Sequence, residues 1–246
     1  MRRTLVIRVP FGGLGDHLFR SHLPRIAKET GVYERVLVSN LSEYRDPEIR
    51  TLVWEQNPFI DGFTDEDAPV PVFPSVPKGM NLLDRMMLEY GMDDGTRFHE
   101  PEIYYRPGKA EAAAGKSVYD PNWVSNTGII SKRKLHKHFR RSGLPDFQMP
   151  PRAKTVLLDG IPFYPHPTSL FEYCNILASA ERFTCLLSGG ATLAAALGVP
   201  AVVLYGRRAP AAMFRHSRLH RYEYIGPSFP ERLMRRLARG AKGDRS

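Results

Sequence analysis

Cysteine is scarce: the 246-residue chain has two, Cys174 and Cys185. Two thiols cannot build a disulfide framework or fill a four-ligand zinc site, so the chain reads as one suited to a reducing, cytoplasmic compartment. Long apolar runs are missing too. Nothing approaches the roughly 18 consecutive apolar residues of a membrane span, and none is expected. The opening MRRTLVIRVPFGGLGD places a basic pair before apolar residues, as a signal peptide does. Arg8 then interrupts the run and no small-residue cleavage site follows, which favours a first strand. There is no 20–50-residue repeat and no low-complexity tract. With 42% hydrophobic and 11% aromatic residues the chain can bury a sizeable core, which excludes global disorder. Acid is in deficit: 35 Lys and Arg against 26 Asp and Glu leave a net charge of +9. That surplus attracts nucleotides, nucleic acid or phosphorylated glycans, or else it is a solvated basic surface.

What is present is strand–loop–helix, twice over. Residues 4–9 form an apolar run with β-branched character, followed by the glycine loop 12–15. From 16 to 30 the apolar positions Leu18, Phe19, Leu23, Ile26 and Ala27 share one helical face, and Gly31 supplies a stop. RVLVSN, 35–40, is a second strand, completing a βαβ unit with parallel strands. Residues 57–77 are proline-rich and acidic and read as loops, 82–90 as a short helix, and 106–116 as a linker or crossing helix. In the second half, 117–119, 155–159, 183–187 and 201–205 read as strands. Residues 131–142, 169–180 and 192–197 read as helices, and 230–239 as a basic terminal helix. Ser169-x-x-Glu172 fits a capping box. The fold class is therefore α/β, with two facing Rossmann-like domains of parallel strands, 1–112 and 113–246, whose ligands bind at the carboxyl ends of the strands.

Two glycine turns carry the candidate chemistry. In FGGLGDHLF, 11–19, the spacing is G-G-x-G, neither the dinucleotide fingerprint nor a P-loop. Asp16 follows at the helix start. It is either an acid stabilising the helix dipole or a carboxylate placed to take a proton from an acceptor hydroxyl. In the second turn, Ser188, Gly189, Gly190, Ala191 and Thr192 end a strand and open a helix. They suit a diphosphate at free N–H groups, or are a tight structural turn. The basic helix KRKLHKHFRR, with Lys134, Lys137 and Arg141, is a solvated face or a track for an anionic polymer. His216 and His220 stand four residues apart with no third ligand in view, so no metal is expected.

The stretch 170–206, LFEYCNILASAERFTCLLSGGATLAAALGVPAVVLYG, resembles the donor-binding half of the family-9 glycosyltransferases, the ADP-heptose:lipopolysaccharide heptosyltransferase group. GGLGDHLFRSHLPRIAKE, 12–29, is similar to their opening Gly-Leu/Met-Gly-Asp helix. This chain has Thr192 where the family often has His, and Leu187 where it often has an acid. The resemblance implies a GT-B fold and inverting transfer from a nucleotide-diphosphate sugar, with no cofactor and no metal. It makes Asp16 the general base, beside Gly13, Gly15 and His17 on the acceptor side. Glu172 would hold the donor ribose, and Arg207 or Arg208 would stabilise the departing diphosphate. Some fucosyltransferases share the GGLG-x-x-LF opening, but HKHFRRSGLP lacks their Gly-Asp.

The acceptor stays open between an anionic surface glycan and hydroxymethylated pyrimidines of phage-type DNA. Two further readings remain: a non-catalytic nucleotide- or nucleic-acid-binding module, and a sugar-nucleotide epimerase.

Overall fold

The computed structural model describes residues 3–68, 77–152, 154–166, 169–229 and 231. Two parallel sheets organise it. The first holds β1 (Thr4–Ile7), β2 (Arg35–Ser39) and β3 (Gly62–Thr64), in that order. Val6 pairs with Leu37, and Val38 with Phe63. Between them come α1 (Leu14–Leu18), α2 (Leu23–Glu29) and α3 (Glu48–Arg50), the last running on into a π-helical turn, Thr51–Glu55. After β3 comes α4 (Leu82–Glu89), whose Asn81 and Asp84 close a reciprocal capping box.

The second sheet has five parallel strands. In chain order the elements here are β4 (Ser117–Asp120), β5 (Asn122–Trp123), α5 (Lys132–Ser142), β6 (Phe147–Gln148) and β7 (Lys154–Thr155). There follow α6 (Leu170–Ser179), β8 (Arg182–Leu186), α7 (Gly189–Ala196), β9 (Ala201–Tyr205) and β10 (Arg221–Tyr224). The sheet order is β10-β9-β8-β4-β6, while β5 and β7 pair antiparallel beside it. The first sheet, one face of the second and α1, α2, α4, α6 and α7 feed one apolar cluster, from Leu5 and Ile7 through Trp54 to Cys174, Cys185 and Leu193. On the other face of the second sheet, Tyr119, Leu186 and Leu204 pack with Leu135 and Phe139 of α5.

Several sequence expectations are corrected. The single helix over 16–30 is two helices. An uninterrupted helix would need an amide at Pro24, so the chain turns through i→i+3 bonds (Ser21 N to Leu18 O, Leu23 N to Arg20 O) before Pro24 opens α2. The strand over 155–159 is only Lys154–Thr155, because the Gln148 side-chain amide takes both backbone groups of Leu158, at 2.9 and 3.0 Å. Segment 106–116 is irregular apart from one 3₁₀ turn, Glu111–Ala113, and is tied to α6 through Gly108 N to Asn175 Oδ1 and Ala110 N to Ser179 Oγ, each 2.9 Å. The capping box at Ser169 forms by half: Ser169 Oγ accepts from Glu172 N, while the Glu172 carboxylate takes Tyr164 Oη and Asn175 Nδ2. Strands β3, β5, β6 and β10 and the helical stretch 48–55 went unread in the sequence. Apart from Glu231, the basic segment 230–239 lies outside the described residues.

Buried histidines give the fold an acid limit. Burial holds His17 down to about 4, and His22 and His216 to about 3, against 6.5 for a free imidazole. Between those values the unfolded chain binds protons the folded chain refuses, so stability is lost as pH falls from about 6.5 toward 4. For His17 alone the loss is on the order of 3 kcal/mol. The urea midpoint should therefore fall clearly between pH 7 and pH 5, and an unchanged midpoint would refute the neutral state of these rings.

Candidate active site

A cleft of about 480 Å³ opens where the two sheets meet. Its walls are the segments that follow the carboxyl ends of β1, β2, β4, β6 and β8, where ligands of parallel sheets are expected. The first half contributes Phe11, Gly13, Leu14, Gly15, Asp16, Phe19, Arg45, Asp46 and Ile49. The second contributes Asp120, Asn122, Trp123, Arg152, Tyr173, Ser188, Gly189 and Gly190, among others.

The two glycine turns meet back to back. A Cβ built on Gly189 would stand 3.2 Å from Gly15 N, and one on Gly15 would stand 3.6 Å from Gly189 Cα. The start of α7 therefore lies against the residue preceding Asp16. Asp16 is half-buried at the head of α1, with its carboxylate over Gly13, where a Cβ would come 2.6 Å from Oδ2. Burial raises its pKa. Arg20 and Arg45 pull the other way, as do backbone donors. Arg20 is wholly buried and donates Nη1 to Asp16 O at 2.8 Å. A carboxylate whose pKa is raised while it faces a cleft suits a base near neutral pH.

At α7, Ser188 occupies the N-cap, yet its hydroxyl makes no capping bond and is buried without a hydrogen-bond partner. The first turn of any helix leaves amides without intrahelical partners, so this end offers donors and a positive dipole end toward the cleft. Ala191 and Thr192 are buried in the body of α7, where the Ala191 carbonyl accepts from His220 Nε2 at 2.9 Å.

The structure thus brings Gly13, Gly15 and Asp16 together with Ser188, Gly189 and Gly190. It places the other expected residues elsewhere. His17 is turned into the core: Trp54 Nε1 donates to its Nδ1 and its Nε2 donates to Glu43 O, both at 2.8 Å, which fixes a neutral ring stacked on Tyr44. Glu172 does not line the cleft, and both its oxygens are engaged by Tyr164 and Asn175. Arg207 and Arg208 follow β9, outside the cleft wall; Arg207 exchanges backbone bonds with Ile129, and Arg208 has φ 72°. Lys134, Lys137 and Arg141 lie on α5, whose Leu135 and Phe139 are buried and whose basic side chains do not reach the cleft wall.

Sequence reasoning missed Arg45, Asp120, Asn122, Arg152 and Tyr173. Asp120 is buried at the end of β4 and accepts from Tyr173 Oη at 2.5 Å and from Asn122 N and Nδ2 at 2.9 and 2.8 Å. Burial raises its pKa, against the hydrogen bonds of Tyr173 and Asn122 and the charge of Arg152. An acid closing a strand, followed by Pro121 and Asn122, was the available signal. Arg152 had none.

Gly190 is the residue this cluster cannot do without. Its Cβ would stand 2.4 Å from Tyr173 Oη and 2.9 Å from Asp120 Oδ2. Gly190→Ala should cost on the order of 1–3 kcal/mol in denaturant unfolding. Tyr173→Phe removes the nearer contact and should recover part of that loss, so purely additive costs would refute the clash.

No family model matches the chain, and no curated protein matches it by sequence. Solved structures do match by shape. The chain is similar to the iron-containing dodecameric glycosyltransferase TibC from enterotoxigenic E. coli H10407, at 18% identity and TM-score 0.58, covering 89% of this chain and 62% of TibC. It spans, that is, less than two thirds of that protein. It is also similar to a glycosyl transferase family 9 protein from Veillonella parvula DSM 2008, at 11% identity and TM-score 0.55, covering 99% of this chain and 89% of that one. A third likeness is to E. coli heptosyltransferase WaaC with ADP, at 12% identity and TM-score 0.51, covering 98% and 99% of the two chains. Iron is a property of TibC; among the described residues here, no group of three His, Cys, Asp or Glu side chains is placed to hold a metal ion. The likeness establishes the fold: the chain is built like the family 9 glycosyltransferases and heptosyltransferases, two parallel α/β sheets with a cleft between them.

Proposed function

We propose that the chain is an inverting glycosyltransferase that moves a sugar from a nucleotide-diphosphate donor to an acceptor hydroxyl. One observation carries the reading: Asp16 sits in the cleft one residue beyond Gly15, and Gly15 packs on the first residue of α7. A base and an anion-binding helix end thereby share one cavity. TibC has been solved as a heptosyltransferase in complex with ADP-D-β-D-heptose, so this architecture accommodates such a donor.

In this reading the diphosphate lies at the start of α7, taking its free amides and the orphan hydroxyl of Ser188. The acceptor oxygen attacks the anomeric carbon from the opposite face and the C–O bond to the diphosphate breaks. Asp16 takes the hydroxyl proton, and the nucleoside diphosphate leaves with the bonding pair. Gly13 leaves room for the carboxylate itself, and Gly15 for the close approach of α7. With Asp16 as the base, the burial that raises its pKa should move the acid limb of the rate upward. Asp16→Asn should lower transfer on the order of 10²–10⁴-fold while nucleotide binding survives. The measurement is sugar release from ADP-, UDP- and GDP-sugars by the folded variant, and full activity would refute the base.

The acceptor reading rests on α5. Lys132, Arg133, Lys137, Arg140 and Arg141 are exposed there, away from the cleft wall, which suits an anionic glycan whose charged part rests outside the reaction centre. The same face favours the second reading, duplex DNA with modified pyrimidines. For DNA, binding should weaken by roughly 10³-fold or more between 50 and 200 mM salt. Charge reversal at Lys137 and Arg141 should weaken it for every sequence. Duplex binding no tighter than that of a neutral oligosaccharide at low salt would eliminate DNA.

A further inference from the structure

A diphosphate carries more negative charge than one helix end can offset, since a helix N-terminus supplies roughly half an elementary charge. Asp120 sharpens the demand: its carboxylate lies beside the start of α7, 2.9 Å from where a Gly190 Cβ would be. On the glycosyl-transfer reading, a diphosphate bound here calls for a full cation in this part of the cleft. Arg207 and Arg208 do not line it. Among the described residues, the cleft-lining Lys and Arg side chains are Arg45 and Arg152. Arg45 stands on the first half and acts on Asp16. Arg152 stands on the same half as α7, exposed, within the electrostatic reach of Asp120.

Arg152 is also built into position. Its backbone N donates to Asn122 Oδ1 at 2.7 Å. The Asn122 amide in turn donates to Asp120 Oδ1 at 2.8 Å and to Pro150 O at 3.0 Å, fastening the segment after β6 to the end of β4. Tyr173 from α6 pins the other oxygen of Asp120, and only glycine at 190 leaves room for that contact. With its oxygens bonded to Tyr173 and Asn122, Asp120 orders the loop that carries Arg152 at the cleft wall. We infer, on the glycosyl-transfer reading, that Arg152 is the cation that binds the donor diphosphate and stabilises it as it departs, and that Asn122 positions it. A guanidinium fork matches phosphate oxygens in pairs, which an ammonium cannot do.

Calorimetric titration with ADP, UDP and GDP, each beside its nucleoside, tests this. For the diphosphate the wild type binds best, Arg152→Gln should weaken affinity roughly ten- to hundredfold, since it removes a charge-assisted bond. Affinity for the matching nucleoside should not change. Arg152→Lys should restore part of the loss, and Asn122→Ala should weaken the diphosphate but not the nucleoside. Wild-type diphosphate affinity in Arg152→Gln overturns the assignment and leaves the glycosyl-transfer reading standing, as does a loss that appears in Arg207→Gln instead. A wild-type protein that binds none of the three diphosphates overturns both.

Discussion

The approach of Gly15 to Gly189 is the contact on which the cleft depends. Two helix starts from different sheets come so close that a methyl group on either would reach the other's backbone, at 3.2 to 3.6 Å. Larger side chains would wedge the halves apart and separate the carboxylate of Asp16 from the amides of α7. The same economy fixes the loop before α1: a Cβ at Gly12 would fall 2.7 Å from Arg45 N, whose amide donates to Gly12 O at 2.9 Å. Other bonds hold the halves in this relation. Glu48 accepts from Leu170 N at the head of α6, Leu82 N donates to Met213 O at 2.9 Å, and Asn81 Nδ2 donates to Arg215 O at 3.2 Å.

Neighbouring residues acquire opposite characters from this packing. Asp16 and His17 are adjacent in sequence and about 100° apart around α1, so one faces the cleft and the other the core. His17 is completely enclosed and neutral between Trp54 and the carbonyl of Glu43. Asp16 lines the cleft, where the charges of Arg20 and Arg45 oppose the effect of its burial on its pKa. Asp120 and Arg152 repeat the division across the cleft, a buried acid with satisfied oxygens ordering an exposed cation.

Much of the fold was legible because it rests on local pattern. The apolar run before Gly12, the face shared by Leu18, Leu23 and Ala27, and the small-residue helix after Ser188 each need one period of hydrophobicity and one glycine turn to be read. Where the reading failed, a distant partner had overridden the local signal. Residues 155–159 look like a strand, but a side-chain amide from Gln148 replaces most of the ladder. Residues 16–30 look like one helix, but Pro24 forbids the bond that would join its halves.

For the candidate site the division is sharper. The sequence alone determined that two glycine turns follow apolar strands, that an acid follows the first turn, and that both belong to parallel α/β units. Each of these depends on residues a few positions apart. Only the tertiary structure decided that the turns touch, that His17 is core rather than cleft, and that Arg207 and Arg208 stand outside the wall while Arg152 stands in it. The physical reason is that a cleft is made where strand ends from different parts of the chain converge. Asp16, Asp120, Arg152, Tyr173 and Ser188 become neighbours through the stacking of two sheets, and no spacing along the chain encodes that distance.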